Sequence, residues 1–82
     1  MEEDILGFIN GNVARQKVLE VLDAPRAPMD ASRIGKTLRI APLIVNRTLA
    51  ELEERGLIAA NDRIYTLTEE GRELLSFIRL LL

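Results

Sequence analysis

Residues 30–67 decide the fold of this chain, and their sequence is DASRIGKTLRIAPLIVNRTLAELEERGLIAANDRIYTL. Asp30 is a favourable N-cap for a short helix over residues 31–38. Residues 39–41 suit a turn, and Pro42 suits the first turn of a following helix, because the amide that proline lacks has no intrahelical partner there. The stretch therefore begins with two helices joined by a tight turn.

The second of these helices is predicted to run from Pro42 to about Arg55. At about 100° per residue, its residues divide into two sides, one of them mainly apolar. That side carries Val45, Thr48, Leu49 and Leu52. The opposite side carries Leu43, Asn46, Arg47, Ala50 and Glu54. Because the apolar side faces a core, the opposite side is the one available to a partner.

A short β-hairpin is predicted after this helix. Gly56 ends the helix, because glycine accepts a left-handed conformation without a Cβ penalty. Residues 57–60 then extend, Asn61 and Asp62 suit a tight turn, and residues 63–67 return. The stretch thus predicts helix, turn, helix and hairpin in that order.

Further helices are predicted on both sides of this stretch. Asn12 can cap a helix that ends at residues 23–25. The apolar face of that helix is Ala14, Val18, Val21 and Leu22. Thr68 can cap a C-terminal helix over residues 69–82, whose positively polarised first turn favours acidic side chains. These two helices complete the expected core.

The remaining segments give weaker patterns. Residues 1–11 form an N-terminal segment that suggests a loop or a short docking helix. Its apolar residues are Ile5, Leu6, Phe8 and Ile9. Met29 could add an edge strand after the turn that contains Pro25 and Pro28.

The chain has 82 residues, which is room for one small core, so a single domain over residues 1–82 is expected. Its beginning is acidic, and no apolar run approaches the roughly 18 residues of a membrane span. We therefore expect a cytoplasmic protein that does not associate with a membrane.

The composition argues against an enzyme. There is no Cys and no His, and Ser32 and Ser76 have no evident general base. Glu69, Glu70 and Glu73 resemble a metal cluster only superficially, because a helix N-terminus attracts acids for dipole reasons and no imidazole is available to join them. No catalytic residue, cofactor or metal is expected.

The charges are segregated along the chain. The formal net charge is −2, so a nucleic-acid partner would need a local basic patch. Residues 31–50 supply one, because they contain no Asp or Glu. Their ionisable residues are Arg33, Lys36, Arg39 and Arg47.

Three stretches carry a family resemblance: IAPLIVNRTL at residues 40–49, LEERGLI at residues 52–58 and YTLTEEG at residues 65–71. Together they resemble the winged helix-turn-helix transcriptional regulators of the MarR-like and ArsR-like kind. The resemblance covers most of the chain. It implies a mainly α fold with a small β-hairpin, in which a three-helix core is followed by a short wing and a C-terminal helix.

The resemblance further implies a sequence-specific DNA-binding transcriptional regulator whose third helix, at about residues 42–55, enters the major groove of double-stranded DNA. Arg and Asn are suited to bidentate contacts with guanine and adenine. By position, the base contacts are Leu43, Asn46 and Arg47. The DNA backbone contacts are Arg33, Lys36, Arg39 and Arg63.

Each of these residues has an alternative role. Surface Arg and Lys are usually ordinary solvating groups, and Arg47 could instead pair with Glu51 one turn later, which is worth only about 0.3 to 0.5 kcal/mol. Leu43 departs from the polar residue that the family usually has at such a site, and it could mark a protein contact. A winged-helix protein–protein interaction module within a larger assembly is therefore the alternative function.

The C-terminal helix is more apolar than one small core requires, and a second apolar surface usually means a partner. We therefore expect a homodimer, with the N-terminal Ile5, Phe8 and Ile9 as additional candidates for its interface. The main interface residues are predicted to be Leu74, Leu75, Phe77, Ile78, Leu81 and Leu82.

Overall fold

The computed structural model describes residues 12–25 and 27–81, together with Gly7 and Ile9. The order of elements confirms the predicted sequence of helix, helix, helix, hairpin and helix. We number the elements α1 (Val13–Asp23), α2 (Ala31–Leu38), α3 (Pro42–Glu54), β1 (Ile58–Asn61), β2 (Ile64–Leu67) and α4 (Glu69–Leu81).

Helix α1 packs against α2, α3, α4 and β2, so it forms the centre of the structure. The side chain of Asn12 caps it as predicted, accepting a hydrogen bond from the Ala14 amide at 2.9 Å. Leu19 is buried although it was not in the predicted face, whereas Val21 is only half-buried. The reason is that α1 has neighbours on several sides, which widens its buried face.

Helices α2 and α3 are joined by the predicted tight turn. Asp30 caps α2, its Oδ1 accepting from the Arg33 amide at 2.8 Å. Arg39 then adopts a left-handed conformation with φ of 59°, and Pro42 begins α3. The turn therefore redirects the chain within three residues, and α3 packs against α2.

Helix α3 ends at Glu54, one residue before the predicted end at about Arg55, and Arg55 is its C-cap. Gly56 has a φ of +75° and leads the chain into the hairpin, as expected. The amide of Leu57 bonds back to the Leu52 carbonyl at 3.0 Å, which satisfies a carbonyl in the last turn of α3.

The hairpin turn lies one residue later than predicted. Asn61 does not belong to it, because Asn61 pairs with Ile64 across the antiparallel strands. Asp62 and Arg63 form the turn instead, with φ values of 56° and 70°, as a type I′ turn requires. The buried pair of Ile58 and Leu67, which lie opposite each other, fixes this register.

Met29 does not form the suggested edge strand. Its carbonyl accepts one hydrogen bond, from the Tyr65 amide at 2.9 Å, and its side chain is buried in the core. This single bond connects the segment before α2 to β2. No longer ladder of strand hydrogen bonds forms there, because proline has no amide hydrogen to donate.

Thr68 caps α4 and ties it to the end of α3. Its Oγ1 accepts from the Gly71 amide at 3.0 Å and donates to the Gly56 carbonyl at 2.7 Å. Gly71 is buried, and a Cβ there would collide with the Leu57 carbonyl. The beginning of α4 is therefore held close to the connection between α3 and β1 by two small residues.

In the N-terminal segment, Gly7 and Ile9 are helical, and Ile9 is fully buried in the core. Ile9 is therefore not available to a partner, in contrast to its suggested role in the dimer. Ile5, Leu6 and Phe8 lie outside the described residues. In the part of the chain that is described, no helix is long and apolar enough to cross a membrane.

Candidate nucleic-acid interface

The outward face of α3 has the composition that helix periodicity predicts. Val45, Thr48, Leu49 and Leu52 are buried, whereas Leu43, Asn46, Arg47, Ala50 and Glu54 are exposed. Leu43 is the large apolar exception on this face, with 68% of its surface exposed. The face thus presents an amide, a guanidinium and an isobutyl group within the first two turns of the helix.

Glu51 does not pair with Arg47, which was one alternative for that arginine. Its Oε1 instead accepts from Nε of Arg15 on α1 at 3.1 Å, and the two side chains are 31% and 18% exposed. Within residues 12–25 and 27–81, no ion pair involves Arg47. The guanidinium of Arg47 is consequently directed to solvent.

The basic residues of α2 lie beside α3. Arg33, Lys36 and the turn residue Arg39 are all exposed. An open groove runs along the surface where α2 and α3 pack together, and its lining includes Lys36 of α2 and Asn46 of α3. Lys36 and Asn46 therefore line the same groove. The other residues that line this groove are Ala31, Ser32, Gly35, Ile40 and Pro42.

The wing contributes Arg63, the second residue of the hairpin turn. Arg63 is exposed and shares a shallow groove with Tyr65 of β2 and with Ser32 of α2. The tip of the wing is thus adjacent to the N-terminal end of α2. Asp30 also lines this groove, but its carboxylate is engaged as the α2 cap.

Ser32 is a residue that sequence reasoning missed. It borders both the α2–α3 groove, which Lys36 also lines, and the groove beside the wing, which Arg63 also lines. Its position in the first turn of α2 was visible in the sequence, but the approach of the wing to that turn was not. Arg33 borders a different groove, together with Val21 and Pro25.

Some of the residues predicted for a dimer interface are buried within the chain, and others are exposed. Leu74, Leu75 and Ile78 are buried in the core of the same chain, so they stabilise the fold of the single chain. Phe77 and Leu81 are exposed by 48% and 59%, and the neighbouring Leu80 is exposed by 83%. Leu82 lies outside the described residues. The exposed apolar part of α4 is therefore Phe77, Leu80 and Leu81.

The described residues offer no metal site. They contain no group of three or more Asp, Glu, His or Cys side chains arranged to hold an ion, and this includes the acidic residues of α4. The first turn of α4 holds Glu69 and Glu70 near its positive end, as the helix dipole favours.

Residues 15–81 match the family model described as winged helix-turn-helix. The match covers most of the chain, and the protein belongs to the winged helix-turn-helix family. Helix α2, the turn after it, helix α3 and the β1–β2 wing are the parts of the structure that give this family its name.

Two solved structures have a similar fold. A MarR family protein of Mycobacterium tuberculosis, Rv2887, superposes with a TM-score of 0.77 at 21% identity over 92% of this chain. A variant of ZitR from Lactococcus lactis superposes with a TM-score of 0.70 at 23% identity over 98% of this chain. The chain spans 56% of the length of each of those two. Among curated proteins, no match is found.

Proposed function

We propose that this protein is a transcriptional regulator that binds double-stranded DNA sequence-specifically and inserts α3 into the major groove. The observation that carries the proposal is the pair Asn46 and Arg47, exposed together on the outward face of α3. An α-helix fits the major groove, Asn suits the edge of adenine, and Arg suits the edge of guanine. The Arg15–Glu51 ion pair supports this role by leaving Arg47 available.

The DNA backbone is bound, in this proposal, by the basic side chains around α3. Lys36 borders the groove beside Asn46, and Arg63 extends from the wing tip on the other side of Ser32. Arg33 and Arg39 are exposed and complete the set. Because the net charge is −2, binding depends on this local segregation of charge and not on a uniformly basic surface.

The regulator acts as a homodimer in this proposal, through the exposed part of α4 formed by Phe77, Leu80 and Leu81. A two-fold axis would present two copies of α3 to successive major grooves. The DNA site would then be a pseudo-palindrome with half-sites about 34 Å apart, or a multiple of that spacing.

The test is selection of fragments from genomic DNA with the purified protein, followed by titration of a selected duplex. Arg47→Ala should weaken binding by about tenfold to a hundredfold and relax selectivity at one base pair per half-site. Arg72→Ala is the matched control, since Arg72 is an exposed helical arginine on α4, and it should bind like the wild type. If Arg47→Ala binds as tightly and as selectively as the wild type, base recognition by Arg47 is excluded.

A second candidate function is a protein–protein interaction module within a larger assembly. The observation that favours it is the apolar beginning of α3, where Leu43 is 68% and Ile44 is 37% exposed. Salt dependence separates the two functions. If DNA is bound through about four phosphate contacts per protomer, the logarithm of the binding constant should fall with the logarithm of the salt concentration, with a slope of about −0.9 per contact. A protein-interaction module should show no such binding to duplex DNA.

A further inference from the structure

Leu43 occupies the middle of the outward face of α3. At about 100° per residue, Arg47 lies about 40° to one side of it and Asn46 about 60° to the other. The Leu43 side chain is 68% exposed, although it is large and apolar. If α3 enters a groove with this face, the residue nearest to the groove floor is therefore a leucine, flanked by two hydrogen-bonding side chains.

The chemistry of the groove floor limits what a leucine can contact. The base edges in the major groove present mainly hydrogen-bond donors and acceptors, and the largest apolar group among them is the C5 methyl of thymine. Placing Leu43 over the donors and acceptors of a base edge would desolvate polar groups without giving them a partner, which is unfavourable. The methyl group of thymine is the complementary surface for this side chain.

We propose that Leu43 is a specificity-determining residue that contacts the 5-methyl group of a thymine near the centre of each half-site. This inference rests on the proposed function, because it requires that α3 enters the major groove. It adds the identity of a base to the recognition by Asn46 and Arg47, and it gives the exposed leucine a nucleic-acid partner in place of a protein one.

The local structure of α3 supports a close approach at this point. Pro42 is the first residue of α3, so Leu43 lies in its first turn, and the N-terminal residues of a recognition helix are those that reach base edges. Ala50 lies two turns later on the same face and is also exposed. Its small side chain leaves the helix backbone free to approach the DNA along this face.

The test uses a duplex selected from genomic DNA, resynthesised with uracil in place of thymine at one position at a time. Uracil keeps every hydrogen-bonding group of thymine and lacks only the methyl group. At one position per half-site, the wild-type affinity should fall about fourfold, as expected for one methyl group removed from an apolar contact. Leu43→Ala should bind the thymine and uracil duplexes with equal affinity.

Ile44→Ala is the control, because Ile44 is the neighbouring exposed aliphatic residue and points about 100° away from Leu43. It should keep the wild-type preference for thymine. Circular dichroism checks that both variants are folded, since Leu43 is 68% exposed but Ile44 is only 37% exposed.

The outcomes separate this inference from the proposed function. Tight binding by the wild type with no thymine preference at any position overturns the role of Leu43 and leaves the DNA-binding proposal intact. A thymine preference that Leu43→Ala retains also overturns it. If no duplex is bound, the DNA-binding proposal fails and the role of Leu43 fails with it, and the exposed leucine then favours a protein partner.

Discussion

Arg15 on α1 and Glu51 on α3 form an ion pair, with Nε 3.1 Å from Oε1. The pair connects the central helix to the helix that presents the candidate DNA-binding face. It also engages the carboxylate that lies one helical turn after Arg47, and an unpaired carboxylate at this spacing would attract that arginine. The pair therefore has a consequence for function as well as for stability.

Removal of the Arg15 side chain should weaken DNA binding, although Arg15 lies on a different helix from the binding face. In Arg15→Ala, Glu51 is free to pair with Arg47, and this competition is worth about 0.3 to 0.5 kcal/mol, or roughly a twofold loss of affinity. Titration of a labelled duplex at low salt measures it. The free energy of unfolding should fall as well, because the Arg15 side chain is only 18% exposed, so the affinity is compared on protein that circular dichroism shows to be folded.

The double variant Arg15→Ala/Glu51→Ala is the control for this mechanism. It removes the competing carboxylate as well, so its affinity should return to the wild-type value or exceed it. Affinity that stays low in the double variant would show that Arg15 acts through a different contact.

Arg63→Gly should change stability and DNA binding in opposite directions, raising the free energy of unfolding and lowering the affinity for DNA. Arg63 and Asp62 both have positive φ at the wing turn, a conformation that costs most side chains about 1 kcal/mol and glycine almost nothing. Both Arg63→Gly and Asp62→Gly should therefore raise the free energy of unfolding by about 0.5 to 1 kcal/mol. If Arg63 contacts a phosphate as proposed, only Arg63→Gly should also weaken DNA binding and make the dependence of its affinity on salt less steep.

Chemical denaturation and a salt titration of DNA binding measure these two effects. The contrast between the two variants is informative because they alter adjacent residues of one turn. Equal loss of DNA affinity in both would assign the effect to the shape of the turn and would argue against a phosphate contact by Arg63.

Gly71→Ala should destabilise the protein, although alanine is the better helix former. Helix propensity favours alanine by about 1 kcal/mol, but a Cβ at position 71 would collide with the Leu57 carbonyl, which cannot move freely because it accepts the Thr68 amide. The steric effect should exceed the propensity, with a net loss of about 1 to 3 kcal/mol in the free energy of unfolding.

Gly56→Ala is the matched comparison for Gly71→Ala. Position 56 is open to solvent, and only its φ of +75° disfavours a side chain, so the loss there should be about 1 kcal/mol. Thermal and urea denaturation of both variants measure the difference. A smaller loss at position 71 than at position 56 would contradict the close approach of α4 to the Leu57 carbonyl.

The sequence predicted the outward face of α3 correctly because helix periodicity is a local property, and Val45, Thr48 and Leu52 mark the buried side. The hairpin turn was wrong by one residue. Asn61 and Asp62 are both good turn residues, but the register is decided by the buried pair of Ile58 and Leu67, which requires the core. Local preference and tertiary packing disagreed here, and packing decided the outcome.

Contacts between distant parts of the chain could not be predicted in this way. Arg15 and Glu51 are 36 residues apart, and only the packing of α1 on α3 brings them together. The burial of Leu74 and Ile78 has the same origin: the sequence showed that α4 has more apolar residues than one face needs, but it did not show which of them face α1.

Charge introduced on the exposed part of α4 should prevent dimerisation without unfolding the chain. Phe77→Glu and Leu81→Glu place carboxylates where the wild-type side chains are 48% and 59% exposed, so each chain loses little of its own core. Light scattering at micromolar concentration should report a dimer for the wild type and a monomer for the double variant. The double variant should also lose most of its affinity for a palindromic duplex, because each half-site alone is bound more weakly.

Leu75→Ala is the contrasting substitution on the same helix. Leu75 is 1% exposed, so its truncation should lower the free energy of unfolding by about 2 to 5 kcal/mol through the cavity it leaves. Its folded fraction should still dimerise, because the exposed residues are unchanged. A wild-type protein that remains monomeric at high micromolar concentration would refute the dimer, and DNA binding would then have to be explained by a single copy of α3.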